Sequence, residues 1–209
     1  MDRRDAIGRV ALLMGGAVIG ADFFLSGCKP KGTSVSGVAD LFTPENTDFL
    51  NEIADTILPT TSSPGAKAAN VGGFMAVMVR DCYTPADQKA FLAGTGKLND
   101  AAKTKFGSVF MELNPQQRTD LLVALDKEQK DFTTKRNKDM AADAEKHKGD
   151  AKYKAPEVPN HYFRMMKELT LLGYFTSEIG ATKALRYIAI PGHYNGDIPY
   201  KKGDKAWAT

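Results

Sequence analysis

The sequence predicts an all-α fold, a small helical assembly with a long irregular C-terminal tail. Three observations predict it. A capping side chain precedes proline at Thr43-Pro44, Thr84-Pro85 and Asn114-Pro115, and proline in a first helical turn gives up an N–H that has no intrahelical partner anyway. Behind these starts, apolar residues recur every three or four positions. No alternating run long enough for a strand interrupts them, and no repeat period appears. The chain has 209 residues, 43% hydrophobic and 25% charged. That supports one medium domain with a core, and it excludes disorder, collagen-like repetition and a separate cofactor domain. A formal charge of +3 is too mild for a phosphate-tracking face, so no nucleic-acid partner is expected.

The first helix carries Phe49, Leu50, Ile53, Ala54 and Ile57 at helical spacing and ends before Pro59. Pro59-Thr60-Thr61-Ser62-Ser63-Pro64-Gly65 reads as a loop. Val71, Phe74, Met75, Met78 and Cys82 form the next stripe, on which Cys82 should be a small buried hydrophobe. Thr84-Pro85 opens another helix. Gly94-Thr95-Gly96-Lys97 lacks the third glycine of a dinucleotide loop and the Ser/Thr that follows Lys in a P-loop; it reads as a helix break. Asn114 with Gln117 allows a capping box, and Leu121, Leu122, Leu125 and Phe132 start a long helix. Lys127–Lys154 holds nine basic and six acidic residues of mixed order, the pattern of a solvated helix extension or arm. Tyr162, Met165, Met166, Leu169 and Leu172 make the last stripe, stopped by Gly173. Its methionine pair reads as core filling, with no ligand role.

Beyond Gly173 the pattern changes. The last 37 residues contain four Tyr, one Trp and one His among many turn-formers, with no helical period. Such a segment either wraps its own domain or docks on a partner, where Tyr, Trp and Arg are favoured anchors.

The N-terminus has the three parts of a secretory signal: a basic start at Arg3-Arg4, a short apolar run over 10–21, and small residues before Cys28. The run is too short to span a bilayer as a helix. Paired Arg3 and Arg4 ahead of a Gly-rich segment resemble a twin-arginine signal, which exports folded proteins. Leu25-Ser26-Gly27-Cys28 resembles a bacterial lipobox, with Cys28 lipidated; the plainer alternative is an ordinary cysteine behind a signal. The expected organisation is a signal over 1–27, a tether over 28–41 and a helical domain over 42–209. The product would be a periplasmic lipoprotein held at a membrane through Cys28. With Cys28 lipidated, Cys82 has no intramolecular disulfide partner.

Catalytic signals are few. His147, His161 and His193 are widely separated, with no zinc-type spacing. There is neither a C-x-x-C-H haem motif nor a G-x-S-x-G elbow. No cofactor or metal site is expected in this chain, and no catalytic residue.

Several segments carry a resemblance: the Arg3-Arg4 start, Ile57-Leu58-Pro59-Thr60-Thr61 with Pro64-Gly65-Ala66, the block Gly173-Tyr174-Phe175-Thr176-Ser177-Glu178-Ile179-Gly180, and the ending Pro191-Gly192, Tyr194, Gly196, Pro199. Together they resemble the gluconate 2-dehydrogenase subunit 3 family over roughly residues 42–205. The resemblance implies a small non-catalytic subunit of a sugar or glycoside dehydrogenase. The implied partner is a large FAD-dependent flavoprotein of the glucose–methanol–choline oxidoreductase type, often joined by a multihaem cytochrome c. The small subunit would bind the flavoprotein, escort it through folded export and tether it at the membrane. Tyr174, Phe175, Glu178, Arg186, Tyr187, Tyr194, Tyr200 and Trp207 are the residues expected to face that partner. Two rival readings are a stand-alone lipoprotein that binds a sugar or glycoside, and a role for His193 in completing the partner's active site.

Overall fold

The computed structural model describes residues 35–190, 192–193 and 196–208. Arg3, Arg4, Cys28 and most of the expected tether lie outside the described residues, as does Tyr194. Five α-helices follow in order: α1 Pro44–Ile57, α2 Val71–Cys82, α3 Pro85–Phe106, α4 Pro115–Lys146 and α5 Tyr162–Phe175. Short 3-10 turns cover Val38–Phe42 and Phe110–Glu112, and a π-turn covers Gly180–Ala184. The only β-type pairing among the described residues is an isolated bridge between Arg186 and Trp207. The fold is all-α, as the capping and spacing require.

Each expected cap is made. Thr43 Oγ1 accepts from the Asn46 N–H at 3.4 Å and Thr84 Oγ1 from the Asp87 N–H at 3.3 Å. Asn114 and Gln117 close a reciprocal box, 2.9 Å one way and 3.1 Å the other.

Helix α5 is the hub, in contact with each of the other four helices. Tyr162, Phe163, Met165, Met166, Leu169, Thr170, Gly173 and Tyr174 are all buried, as expected of a helix with neighbours on several sides. Phe91, Phe110 and Phe163 fill the interior without exposure; each such side chain stabilises by about 1.5–3 kcal/mol relative to leaving it in water.

Four expectations are corrected here. The Gly94–Lys97 segment does not break a helix; α3 runs through it. Gly94 is instead where α3 meets α5, since a Cβ there would lie 2.3 Å from Tyr162 Cβ. Gly173 does not stop α5, which continues to Phe175; it makes room for the Phe74 ring, 2.6 Å from where its Cβ would be. Cys82 is exposed rather than buried. The buried face of α2 is centred on Val71, Met75 and Val79, and Cys82, its last residue, falls at the edge. Finally, the tether ends before residue 41. Val38 and Leu41 are buried, held by hydrogen bonds from Asn46 Nδ2 to Asp40 O at 2.8 Å and from Thr47 Oγ1 to Leu41 O at 3.2 Å.

The mixed-charge segment is a helix extension with a returning strap. Buried positions in α4 end at Gln129, and the remaining turns project beyond the core. The strap folds back on them. Arg136 donates from Nε and Nη2 to Val158 O at 3.0 and 2.7 Å, and His147 stacks on Tyr153 with ring centroids 3.9 Å apart.

Candidate partner-docking site

The site begins where α5 ends. Tyr174 is in the core, 4% exposed, and its hydroxyl donates to Pro64 O. The expectation that Tyr174 faces a partner is therefore corrected: its apolar ring is a hub residue and its one polar group is already bonded to the chain. This contact joins the Pro59–Gly65 loop to the Gly173–Gly180 block. Gly65 allows the junction, because a Cβ there would meet Asp55 Oδ1 at 2.4 Å and Thr60 N at 2.7 Å.

The helix end is then locked locally. Ser177 Oγ donates to Tyr174 O at 2.6 Å and accepts from the Gly180 N–H at 3.0 Å. Gly180 passes so close to the Tyr174 carbonyl that any Cβ would collide with it, at 1.8 Å. Four residues of the block, Gly173, Tyr174, Ser177 and Gly180, thus shape the chain. Phe175 and Glu178 remain on the outside. Phe175 makes an edge-to-face contact with Tyr174 at 5.2 Å between centroids and is 39% exposed.

Among its described residues the tail pairs its first and last segments. It closes on itself. The Arg186 N–H donates to Ala206 O at 2.8 Å, and the Ala208 N–H donates to Arg186 O at 2.9 Å. The Arg186 guanidinium lies 4.8 Å over the Trp207 ring and 3.5 Å from Asp204 Oδ2. Lys205 Nζ adds a donor to Lys183 O. Stacking an arginine on an indole holds both planes while leaving the outer ring face accessible. Beside this clasp is an open hollow of about 430 Å³, lined by Arg186, Ile198, Pro199, Tyr200, Lys205 and Trp207 among others.

Around the clasp stand Tyr187, 54% exposed, Tyr200, 80%, and Trp207, 44%. Ile188, Ile190 and Ile198 are exposed as well. These isoleucines and the cations Lys201, Lys202 and Lys205 were not singled out from sequence. The available signal was apolar residues scattered through a turn-rich segment without a period to bury them. His193 is exposed, and nothing in the described geometry sets it opposite a second catalytic group.

The strongly shifted acids elsewhere are structural. Burial pushes the Asp126 carboxyl up, but hydrogen bonds from Lys130, Lys167 and Gln129 outweigh it and hold the group at about 2. Burial, helped by the Glu128 carboxylate, pushes the Tyr162 hydroxyl up to about 12. Among the described residues no cluster of His, Cys, Asp and Glu could hold a metal. No described helix is long and apolar enough to cross a membrane. The groove between α4 and α5, about 470 Å³, is lined by polar side chains such as Gln129, Asn137, Arg164 and Glu168 and by no aromatic ring, so it offers a sugar no stacking platform; Tyr200 and Trp207 line the tail hollow instead.

The family model described as gluconate 2-dehydrogenase subunit 3 matches residues 44–192, from the first residue of α1 into the tail. Comparison with curated proteins and with solved structures finds no match for this chain.

Proposed function

The chain belongs to the gluconate 2-dehydrogenase subunit 3 family, and from that premise we propose that it is the non-catalytic small subunit of an FAD-dependent sugar or glycoside dehydrogenase. Family membership makes it a subunit of a gluconate 2-dehydrogenase complex with a partner subunit. The finer reading is that the partner is a large flavoprotein of the glucose–methanol–choline type. FAD resides there, and this chain contributes surface and address. Arg3 and Arg4 would send the assembled pair through folded export, and Cys28 would hold it at the periplasmic face of a membrane.

One observation carries the docking part of this reading. Six large apolar side chains, Tyr187, Ile188, Ile190, Ile198, Tyr200 and Trp207, stand exposed in a single tail. Scattered exposed apolar residues need no explanation, but a concentration of this kind marks an interaction surface, and Tyr and Trp are the residues that anchor interfaces. Among the described residues, no hydrophobic side chain after Ala184 packs against the core, so removing the chain from residue 185 onward tests docking without unfolding the helices. Deleting residues 185–209 should leave the helical circular dichroism intact and abolish co-purification with the large subunit. Undiminished yield of the complex would end the assignment of docking to this tail.

A further inference from the structure

We propose that the Arg186–Trp207 clasp preforms a docking module for an acidic, apolar-anchored patch on the large subunit. This rests on the accessory-subunit reading and adds to it the chemistry of the partner surface.

The argument starts from what the clasp leaves on offer. It spends both backbone groups of Arg186 on Ala206 and Ala208, so the paired segments present side chains, not free backbone, at this point. The hollow beside it has Ile198, Pro199, Tyr200 and Trp207 as apolar walls. A hollow of this size admits one or two large apolar side chains, and burying an anchor in a ready-made pocket is the pattern of an interface hot spot. The ends are already joined, so binding does not have to order them, which removes part of the entropic cost of association.

Charge then selects the partner. From Lys183 to Ala208 the cations are Lys183, Arg186, Lys201, Lys202 and Lys205, against Asp197 and Asp204. Asp204 is turned inward: its carboxylate is 3.5 Å from the Arg186 guanidinium and accepts from the Lys201 N–H at 3.1 Å. Lys205 lines the hollow, and Lys201 and Lys202, which follow its wall residue Tyr200 in the chain, are exposed. Apolar walls with Arg186 and Lys205 in the lining, against Asp204 alone, and with Lys201 and Lys202 close by in the chain, complement a protein surface that presents an apolar side chain flanked by carboxylates. Complementary charge of this kind speeds encounter and makes it sensitive to salt.

The test measures binding of the purified large subunit to immobilised full-length protein at low and moderate salt, with two variants that do not touch the core. Trp207→Ala removes the clasp ring. Lys201→Glu with Lys202→Glu reverses two of the cations. The expected results are at least tenfold weaker binding for each variant at low salt, with unchanged helicity and melting temperature. The charge-reversed variant should also lose most of the salt dependence of the wild type. Wild-type binding that persists within twofold in both variants overturns the clasp while leaving the accessory reading standing. No binding by the wild type overturns both. Self-association of the isolated chain that is abolished by Trp207→Ala, with large-subunit binding unaffected, would assign the surface to a second copy and likewise overturn the proposal.

Discussion

Gly94 has space for a hydrogen and nothing larger, because the Cβ of Tyr162 stands where its own would be. Helix α3 accepts the roughly 1 kcal/mol that glycine costs in a helix interior relative to alanine, and in return its backbone approaches the hub closely. Gly94→Ala should therefore destabilise the protein by roughly 1–3 kcal/mol, read as a lower urea midpoint, although alanine is the better helix former. A midpoint that rises would show that Tyr162 yields at no cost. His161 makes a second point at this scale. Its Nδ1 accepts the Phe163 N–H at 3.3 Å, so it caps α5 as the neutral ring. Burial holds its pKa below the ordinary value; the hydrogen bond that the ring donates to Glu128, and the charge of that carboxylate, oppose the shift but do not outweigh it. Protonation then favours the unfolded chain. His161 therefore costs no stability above about pH 6.5, and stability should decline as pH falls below that. Asp126, held at about 2, adds a second decline, from about pH 4 downward as the unfolded carboxyl protonates first. Denaturant melts across pH 3–8 should show both steps, and His161→Asn, which keeps a capping oxygen, should remove the upper one alone. What sequence conveyed about single residues was their face, not their neighbours. Spacing put Cys82 on the α2 stripe but could not show that the stripe's edge was bare. It marked Tyr174 as an aromatic in a distinctive block without revealing the Pro64 carbonyl waiting for its hydroxyl.

Helix starts were legible because their signals are local. A capping oxygen and a proline act within one turn, and all three Thr-Pro and Asn-Pro sites begin helices where expected. Helix ends were less so. Glycine stops a helix when its freedom at positive φ is used, as at Gly107 with φ 81°, whereas Gly94 and Gly173 serve close approach inside helices, a role set by residues far away in sequence. Helix α4 shows a third case. Its 32 residues make a rod of about 48 Å at 1.5 Å per residue, yet only its first half packs. Leu125→Ala, at a position 3% exposed, should cost about 2–5 kcal/mol. Met140→Ala in the projecting half should cost less than about 1 kcal/mol. Equal losses in chemical denaturation would mean that the projecting turns and their strap belong to the cooperative core.

The whole molecule divides its labour by position. In the function proposed above, the hub helix and its neighbours make the body, the N-terminal segment would carry the address, and the tail would carry the contact surface. The address is a reading of residue type and order alone, since Arg3, Arg4 and Cys28 lie outside the described residues. The tail was legible only as a composition, aromatic and turn-rich; that it would close on itself depended on an arginine and a tryptophan 21 positions apart meeting in space. Replacing Cys28 with Ala should move the exported protein from the membrane fraction to the soluble periplasmic fraction, followed by immunoblot after cell fractionation, while leaving its binding of the large subunit unchanged. Retention in the membrane fraction would assign anchoring to another part of the complex. The closed tail also has a practical bearing on how the protein is handled. A label or purification handle attached at Lys205, which lines the hollow beside the indole of Trp207, would crowd the hollow and mimic a binding defect. The solvated turn around Gly149, at the outer end of α4, is the better place to attach one.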